Sequence, residues 1–196
     1  MAKKYFGYIV GAVLVLAGIW FAITFNSLVK KDELVLKQWN EVQNAYQRRV
    51  DLIPNLVNIV KGGAAYEQTT LQKVIEARSK VSSVNVNLSD GAAAYQKQTA
   101  AQDDLAASAN NLIARVERYP ELRGTRAFVD LQVQLEGTER RIKFARKDFN
   151  EAIADYNSKV KSFPVNMVAG VTSFAAKDGF NADAGAEKTV EINFKK

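Results

Sequence analysis

Residues 5–25 read YFGYIVGAVLVLAGIWFAITF, a run of 21 residues without a charged side chain. As an α-helix this run is about 30 Å long, which matches the hydrocarbon core of a lipid bilayer. It therefore predicts a transmembrane helix, preceded by a short tail at residues 1–4. Aromatic residues lie near both ends, as they do at membrane interfaces: Tyr5, Phe6, Tyr8, Trp20, Phe21 and Phe25.

Two other interpretations of this run are a buried core helix and a cleaved signal peptide. A core helix is seldom apolar on every side over this length. A signal peptide has a shorter apolar region that ends in small residues, whereas this run ends in Trp-Phe-Ala-Ile-Thr-Phe. Lys3 and Lys4 precede the run and Lys30 and Lys31 follow it, so charge decides little about orientation. We expect an uncleaved anchor with its short N-terminal tail in the cytoplasm and the rest outside.

The composition excludes several classes of chemistry. The chain has no cysteine and no histidine, so it has no thiolate nucleophile, no zinc-finger ligand set and no imidazole base. A carboxylate- or metal-dependent hydrolase remains the enzymatic alternative. The formal net charge of +6 is spread along the chain without a basic cluster, which argues against nucleic-acid binding. We expect no enzymatic activity, no cofactor, no metal and no small-molecule substrate.

Beyond the apolar run, apolar residues recur every three or four positions, as in packed helices. A first stripe begins directly after the run and a second lies near the end of the chain. Together they predict an all-α fold in which the transmembrane helix continues into a bundle of about four long antiparallel helices. The first stripe is Val35, Trp39, Val42, Tyr46, Val50, Ile53, Val57 and Val60. The second is Leu135, Thr138, Ile142, Ala145, Phe149, Ile153, Tyr156, Val160 and Phe163.

Glycine and proline mark the expected boundaries within a bundle at residues 26–163. Pro54 predicts a kink, because the first stripe keeps its phase across it. Helices are expected at about 64–81 and 92–118, with a loop at 82–91. Pro120 and Gly124 predict the turn into a last helix that begins near residue 128 and ends before Pro164.

Residues 164–196 are predicted to form a separate tail of mixed composition. Near its end Val190, Ile192 and Phe194 alternate with polar residues, as in a β-strand. A single strand of this length is not stable alone. It therefore either docks on the bundle or contacts another copy of the chain, and we predict a contribution to self-association.

Two polar clusters accompany the stripes. Arg48, Arg49, Asp51 and Asn55 surround Pro54. We expect their hydrogen bonds to fix helix register, with Glu136 or Glu139 as partner; the alternative is a ligand or partner site at the kink.

In the last helix the pattern Asp148-Phe149-Asn150 is repeated seven residues later as Asp155-Tyr156-Asn157. The aspartates form a weak candidate cation site, and Asn150 and Asn157 are expected to set helix register. Gly137, in LEGTE, predicts either an interruption or close approach of another helix; we favour close approach.

These motifs resemble the LemA family of bacterial membrane proteins. The similarity extends from about residue 25 to residue 194. RRVDLIPNLV at 48–57 and LEGTE at 135–139 are its most specific elements. Further matching residues are VKG at 60–62, Glu67, Ala77-Arg78, Tyr119-Pro120, Leu131-Gln132, Ile142, Arg146, Tyr156-Asn157 and Phe163-Pro164. The family pattern Tyr-Ala-x-His-Glu after VKG is absent here, where Gly63, Tyr66 and Glu67 stand, and Phe149 replaces a tyrosine.

The resemblance implies one N-terminal membrane helix, a bundle outside the cytoplasm and no known enzymatic activity. We expect location in a bacterial inner membrane, with the bundle in the periplasm or outside the cell. The leading functional hypothesis is a membrane-anchored scaffold that binds copies of itself and other envelope membrane proteins. The alternative is a signalling or stress-response component that regulates a membrane protease or sensor kinase.

Overall fold

The computed structural model describes residues 2–62 and 68–181. Within these ranges the chain forms helices and loops and no β-strand, so the all-α prediction is confirmed. The helices, in chain order, are α1 (Ala2–Lys61), α2 (Gln68–Ser82), α3 (Gly91–Val116), α4 (Pro120–Arg123), α5 (Arg126–Lys161) and α6 (Val165–Val171).

Helix α1 is 60 residues long and joins the apolar run to the bundle without a break. None of its window of highest hydropathy near the N-terminus is buried against the described chain, and in length and composition this part suits a membrane span. Burial begins at Thr24 and Leu28, and all eight residues of the first stripe are buried. The helix continues through Pro54, as the unbroken phase of that stripe predicted.

Helices α1 and α5 pack antiparallel along most of the bundle. Lys31 pairs with Asp155 near the apolar run, and Arg49 pairs with Glu139 further along the bundle. Helix α3 runs parallel to α1, because Gln43 bonds Gln98 and Arg49 bonds Gln102. Helices α2 and α3 form a hairpin that packs on this pair. The topology is therefore the expected up-down-up-down bundle.

The apolar interior is divided into two clusters along the bundle axis. The distal cluster lies far from the apolar run and combines residues of α1, α2, α3 and α5. The proximal cluster lies nearer the run and combines α1, Tyr95 of α3, the C-terminal half of α5, α6 and Phe180. Helix α2 contributes only to the distal cluster. In the proximal cluster its contribution is replaced by α6 and by residues 172–181, which we name the return segment.

The end of the chain differs from the sequence prediction. Helix α5 ends at Lys161 and the backbone of Ser162 is extended, so Phe163 leaves the stripe and is exposed instead of buried. Residues 165–181, expected in a separate tail, include a helix and pack on the bundle through Val165, Val168, Ala169 and Phe180. Val190, Ile192 and Phe194 lie outside the described residues.

Gly137 also differs from the prediction. Helix α5 passes through it uninterrupted, and a Cβ atom added there would meet nothing within 4 Å. No helix of the described chain therefore approaches Gly137 closely, because this side of α5 faces away from the bundle.

Candidate functional site

The polar cluster around Pro54 divides into a buried and an exposed part. Arg49 is only 3% exposed. Its Nη1 donates to the backbone oxygen of Gln102 at 2.9 Å and to its Oε1 at 3.1 Å, while Nη2 donates to the carboxylate of Glu139. A buried guanidinium is costly unless it is paired, and here one side chain joins α1, α3 and α5. Its position fixes the register of these three helices.

The other members of the cluster lie on the outside of α1. Arg48, Asp51 and Asn55 are exposed, and Asp51 accepts a hydrogen bond from Gln47 at 2.8 Å within the same helix. Glu136, the alternative partner for the cluster, is exposed on α5, where it lines a small cleft with Glu139. The cluster therefore does not converge on one site.

Pro54 has a specific partner arrangement. Proline has no N–H, so the carbonyl of Val50, four residues earlier, loses its helical donor. The Nε of Arg78, on α2, donates to this carbonyl at 3.3 Å. Arg78 thus replaces the missing donor and fastens α2 to α1. A helix that continues through a proline leaves one carbonyl in need of another donor. The sequence alone does not say which side chain donates to the carbonyl of Val50.

Asn150 and Asn157 bind the backbone of the return segment. Asn150 donates from Nδ2 to the oxygen of Phe180 at 2.9 Å and accepts from its N–H at 2.8 Å. Asn157 does the same with Lys177, at 2.8 Å for both bonds. Seven residues of helix rise about 10.5 Å and three residues of extended chain rise about 10 Å, so the spacings match. The two asparagines therefore hold an extended peptide against α5, a role beyond the register-setting that was predicted.

Further side chains fasten the return segment. The Lys177 ammonium lies 2.8 Å from the carboxylate of Asp32, and the Tyr156 hydroxyl donates to the oxygen of Ala175 at 3.0 Å. Burial and, to a lesser extent, Asp32 raise the pKa of Tyr156 to about 12. Gly179 packs so closely on Asn150 that an added Cβ would lie 2.7 Å from its Oδ1.

Phe180 completes an aromatic cluster with Trp39, Tyr95 and Phe149. Ring centroids within this cluster lie 4.8 to 6.1 Å apart. The Tyr95 hydroxyl donates to the oxygen of Leu88 at 2.6 Å. Burial, followed by the charges of Asp178 and Asp90, raises the pKa of Tyr95 to about 12. This packing gives the return segment an apolar anchor in the proximal cluster.

Beside Phe180 the surface forms an open cleft between α5 and α3. The guanidinium of Arg146 lies 5.0 Å from the centre of the Phe180 ring. The cleft is lined mainly by charged and polar side chains: Asp103, Glu139, Arg140, Lys143, Arg146, Lys147, Asn150 and Asn181. Basic side chains outnumber acidic ones in this cleft, and within the described ranges no three acidic side chains come together to bind a metal ion.

The residues expected in the membrane are consistent with that position. Tyr5, Phe6, Tyr8, Trp20, Phe21 and Phe25 are all exposed on α1. Of these, Phe25 also contacts the bundle, because its ring lies 5.8 Å from that of Phe174. Phe25 therefore marks the point at which α1 passes from the apolar run into the bundle.

Comparison of the sequence with known protein families gives a match over most of the chain. The model of the LemA family matches residues 38–194, which is most of the bundle and the chain that follows it.

The chain belongs to the LemA family.

The LemA match begins after the apolar run, so the bundle and not the anchor carries it. "Protein LemA" of Metamycoplasma hominis is 26% identical over 147 residues, which are 71% of this chain and 64% of that protein. "Magnetosome protein MamQ 2" of Paramagnetospirillum magneticum is 24% identical over 174 residues, 80% of this chain and 64% of that protein. "Magnetosome protein MamQ" of Magnetospirillum gryphiswaldense is 24% identical over 193 residues, 87% of this chain and 71% of that protein.

The chain thus spans slightly less than two thirds of the length of the first two relatives. Its family and the apolar N-terminal part of α1 make it a membrane-associated LemA-like protein.

Proposed function

We propose that this protein is a membrane-anchored scaffold whose helical bundle associates with further copies of itself outside the cytoplasm. The observation that carries the proposal is α1, which supplies both the apolar run and the central helix of the bundle. With no linker between the two parts, the bundle stands at a fixed height above the membrane. A fixed height suits a scaffold better than a freely diffusing binding domain.

The outward side of α5 is the surface we propose for self-association. Val129, Val133 and Phe144 are exposed there. At 100° per residue they lie within about 60° of one another, and Gly137 lies beside them. Gly137 leaves open space on this side, which allows the backbone of another helix to approach. Copies anchored in one membrane are similarly oriented and concentrated, which favours pairing through such a stripe.

The relatives support a structural role over a single reaction. One bears the name of a magnetosome protein and another comes from a mycoplasma, so similar chains occur in different cellular settings. In the described residues Arg49, Asn150 and Asn157 use their hydrogen bonds to hold helices and the return segment together. A structural module that holds other molecules at the membrane is consistent with the different settings of the relatives and with the structural use of these polar groups.

The size of the particle formed by the full chain tests the scaffold proposal. The protein is extracted with its surrounding lipid, and the mass of single particles is measured. We expect several copies per particle, and fewer copies in Val133→Asp and Phe144→Asp variants with unchanged melting temperatures. Ile75→Asp, at an exposed position on α2, is the matched control.

Single-copy particles would overturn the proposal, as would particles unchanged by both substitutions. A second protein present at a fixed ratio, in place of further copies, would favour the alternative of an envelope signalling regulator.

Orientation is tested separately by labelling. The natural chain has no cysteine, so Ser89→Cys introduces a single thiol in the exposed loop before α3. We expect a membrane-impermeant maleimide to label it in spheroplasts. Labelling only after lysis would place the bundle in the cytoplasm and contradict the proposed orientation.

A further inference from the structure

Helix α6 has two apolar sides, and the bundle covers one of them. Val165, Val168 and Ala169 face the proximal cluster and are buried. On the other side Met167 is 63% exposed and Val171 is 79% exposed, and Phe163, just before the helix, is 81% exposed. Large apolar side chains this exposed and this close together are uncommon on a surface that faces water alone.

The pairing of α1 with α5 gives the height of α6 above the membrane. Lys31 pairs with Asp155, and the two helices are antiparallel. Six residues further along α5 is Lys161, its last residue, and six residues back along α1 is Phe25, the last residue of the apolar run. Helix α6 follows directly and packs on both α1 and α5. The contact between Phe25 and Phe174 confirms that the chain after α6 lies at this level.

Two exposed lysines at this level suit a lipid surface. Lys30 and Lys161 are exposed at the same end of the bundle. Lysine side chains beside apolar ones are typical of helices that lie in the headgroup region, where the ammonium groups meet lipid phosphates. Exposed apolar residues at the level where α1 leaves the bilayer would contact lipid directly, so no second protein is needed to cover them.

We infer that α6 is a second membrane contact, with Phe163, Met167 and Val171 inserted at the boundary between lipid headgroups and acyl chains. The inference rests on the anchor in the proposed function. It assigns to α6 the task of holding the base of the bundle on the membrane, so that the bundle is attached at two points and not only through α1.

Depth measurement with spin labels tests this inference. Single-cysteine variants Met167→Cys and Val171→Cys of the full chain are labelled with a nitroxide and reconstituted into vesicles of phosphatidylcholine and phosphatidylglycerol. Collisions with oxygen, which concentrates in lipid, are compared with collisions with a water-soluble nickel complex. Ile75→Cys, at an exposed position of α2 far from the apolar run, is the aqueous control. Leu14→Cys, within the run, is the membrane control.

We expect labels at 167 and 171 to favour oxygen over nickel by several-fold relative to the label at 75, and to lie shallower than the label at 14. Equal nickel access at 167, 171 and 75 would overturn the inference. Low access to both reagents would mean that protein covers the face, either a second copy or residues 182–196, and would also overturn it. A water-exposed label at 14 would overturn the anchor itself, which distinguishes the two failures.

Discussion

Arg78 and Pro54 form a pair whose energetic coupling is measurable. Loss of the arginine leaves the carbonyl of Val50 without a donor, because Pro54 supplies none. We expect Arg78→Met to lower the free energy of unfolding by about 1–2 kcal/mol. In a Pro54→Ala background the helix provides its own donor, and the same substitution should cost about 1 kcal/mol less. Chemical unfolding of the four proteins completes the double-mutant cycle.

Lys80→Met is the matched control for this cycle, since Lys80 is exposed and pairs with Asp104 on the surface of the same hairpin. We expect little effect from it. Additive effects of the Arg78 and Pro54 substitutions, within about 0.3 kcal/mol, would show that the two residues act independently.

Tyr95 predicts a loss of stability in alkali. Its pKa is raised from 10.0 to about 12, so the folded chain keeps a proton that the unfolded chain has lost. The tyrosine therefore has no effect on the pH dependence well below pH 10. Above that, the free energy of unfolding falls by about 1.4 kcal/mol per pH unit until the folded pKa is reached.

Unfolding by urea at pH 8 and pH 11 tests this prediction. Tyr95→Phe should lose about 1 kcal/mol less than the natural chain between these two pH values. The variant is expected to be less stable at pH 8, because the hydrogen bond to Leu88 is gone. Tyr119→Phe, at an exposed tyrosine, should follow the natural chain. Parallel pH profiles for the natural chain and Tyr95→Phe would contradict the assignment.

At the scale of single residues, the sequence predicted apolar positions better than polar ones. Periodicity identified the buried residues of α1 because burial repeats along one helix. The partners of Asn150, Asn157 and Arg78 lie 20 to 30 residues away in the sequence, so local spacing could not reveal them. Glu139, which pairs with Arg49, was one of two acids expected as partner for the cluster around Pro54, but the sequence did not single out Arg49 as the buried member.

At the scale of elements, the return segment should be a separable unit of stability. Gly179→Ala places a methyl group 2.7 Å from the Oδ1 of Asn150, which is already bonded to Phe180. We expect amide exchange in residues 175–181 to become at least ten-fold faster. The amides of α1 should be protected as before, because the long helices keep their own contacts.

Gly170→Ala provides the control for that experiment, since a methyl group there meets nothing within 4 Å. Unchanged exchange in the Gly179→Ala variant would mean that the asparagine contacts do not limit opening of the segment.

The long helices were predictable as elements and the short ones were not. The last long helix was expected from about residue 128 and begins at Arg126, because proline, glycine and the apolar rhythm all mark the same boundary. Helix α6 spans seven residues, too few to show a helical period. The return segment has no period at all, since its position depends on side chains of α5.

For the whole molecule, the two apolar clusters should unfold together. Helices α1 and α5 run through both, so neither half keeps its contacts when the other opens. Ile53→Asp in the distal cluster and Phe149→Asp in the proximal cluster each bury an unpaired charge, at a cost of several kcal/mol. We expect each to lower the stability of both halves in thermal unfolding and amide exchange. The control Ile75→Asp should have little effect, and selective loss of one half would contradict the prediction.

Because α1 is continuous, a tilt of its membrane part is transmitted to the far end of the bundle. From residue 26 to Lys61 the helix extends about 54 Å beyond the apolar run. A tilt of about 20°, typical of single membrane spans, moves its far end sideways by about 18 Å. Changes in bilayer thickness that alter the tilt are therefore amplified at the tip, where partners would be met. The membrane contact proposed for α6 would restrain this movement on one side, so that the bundle tilts in a preferred direction.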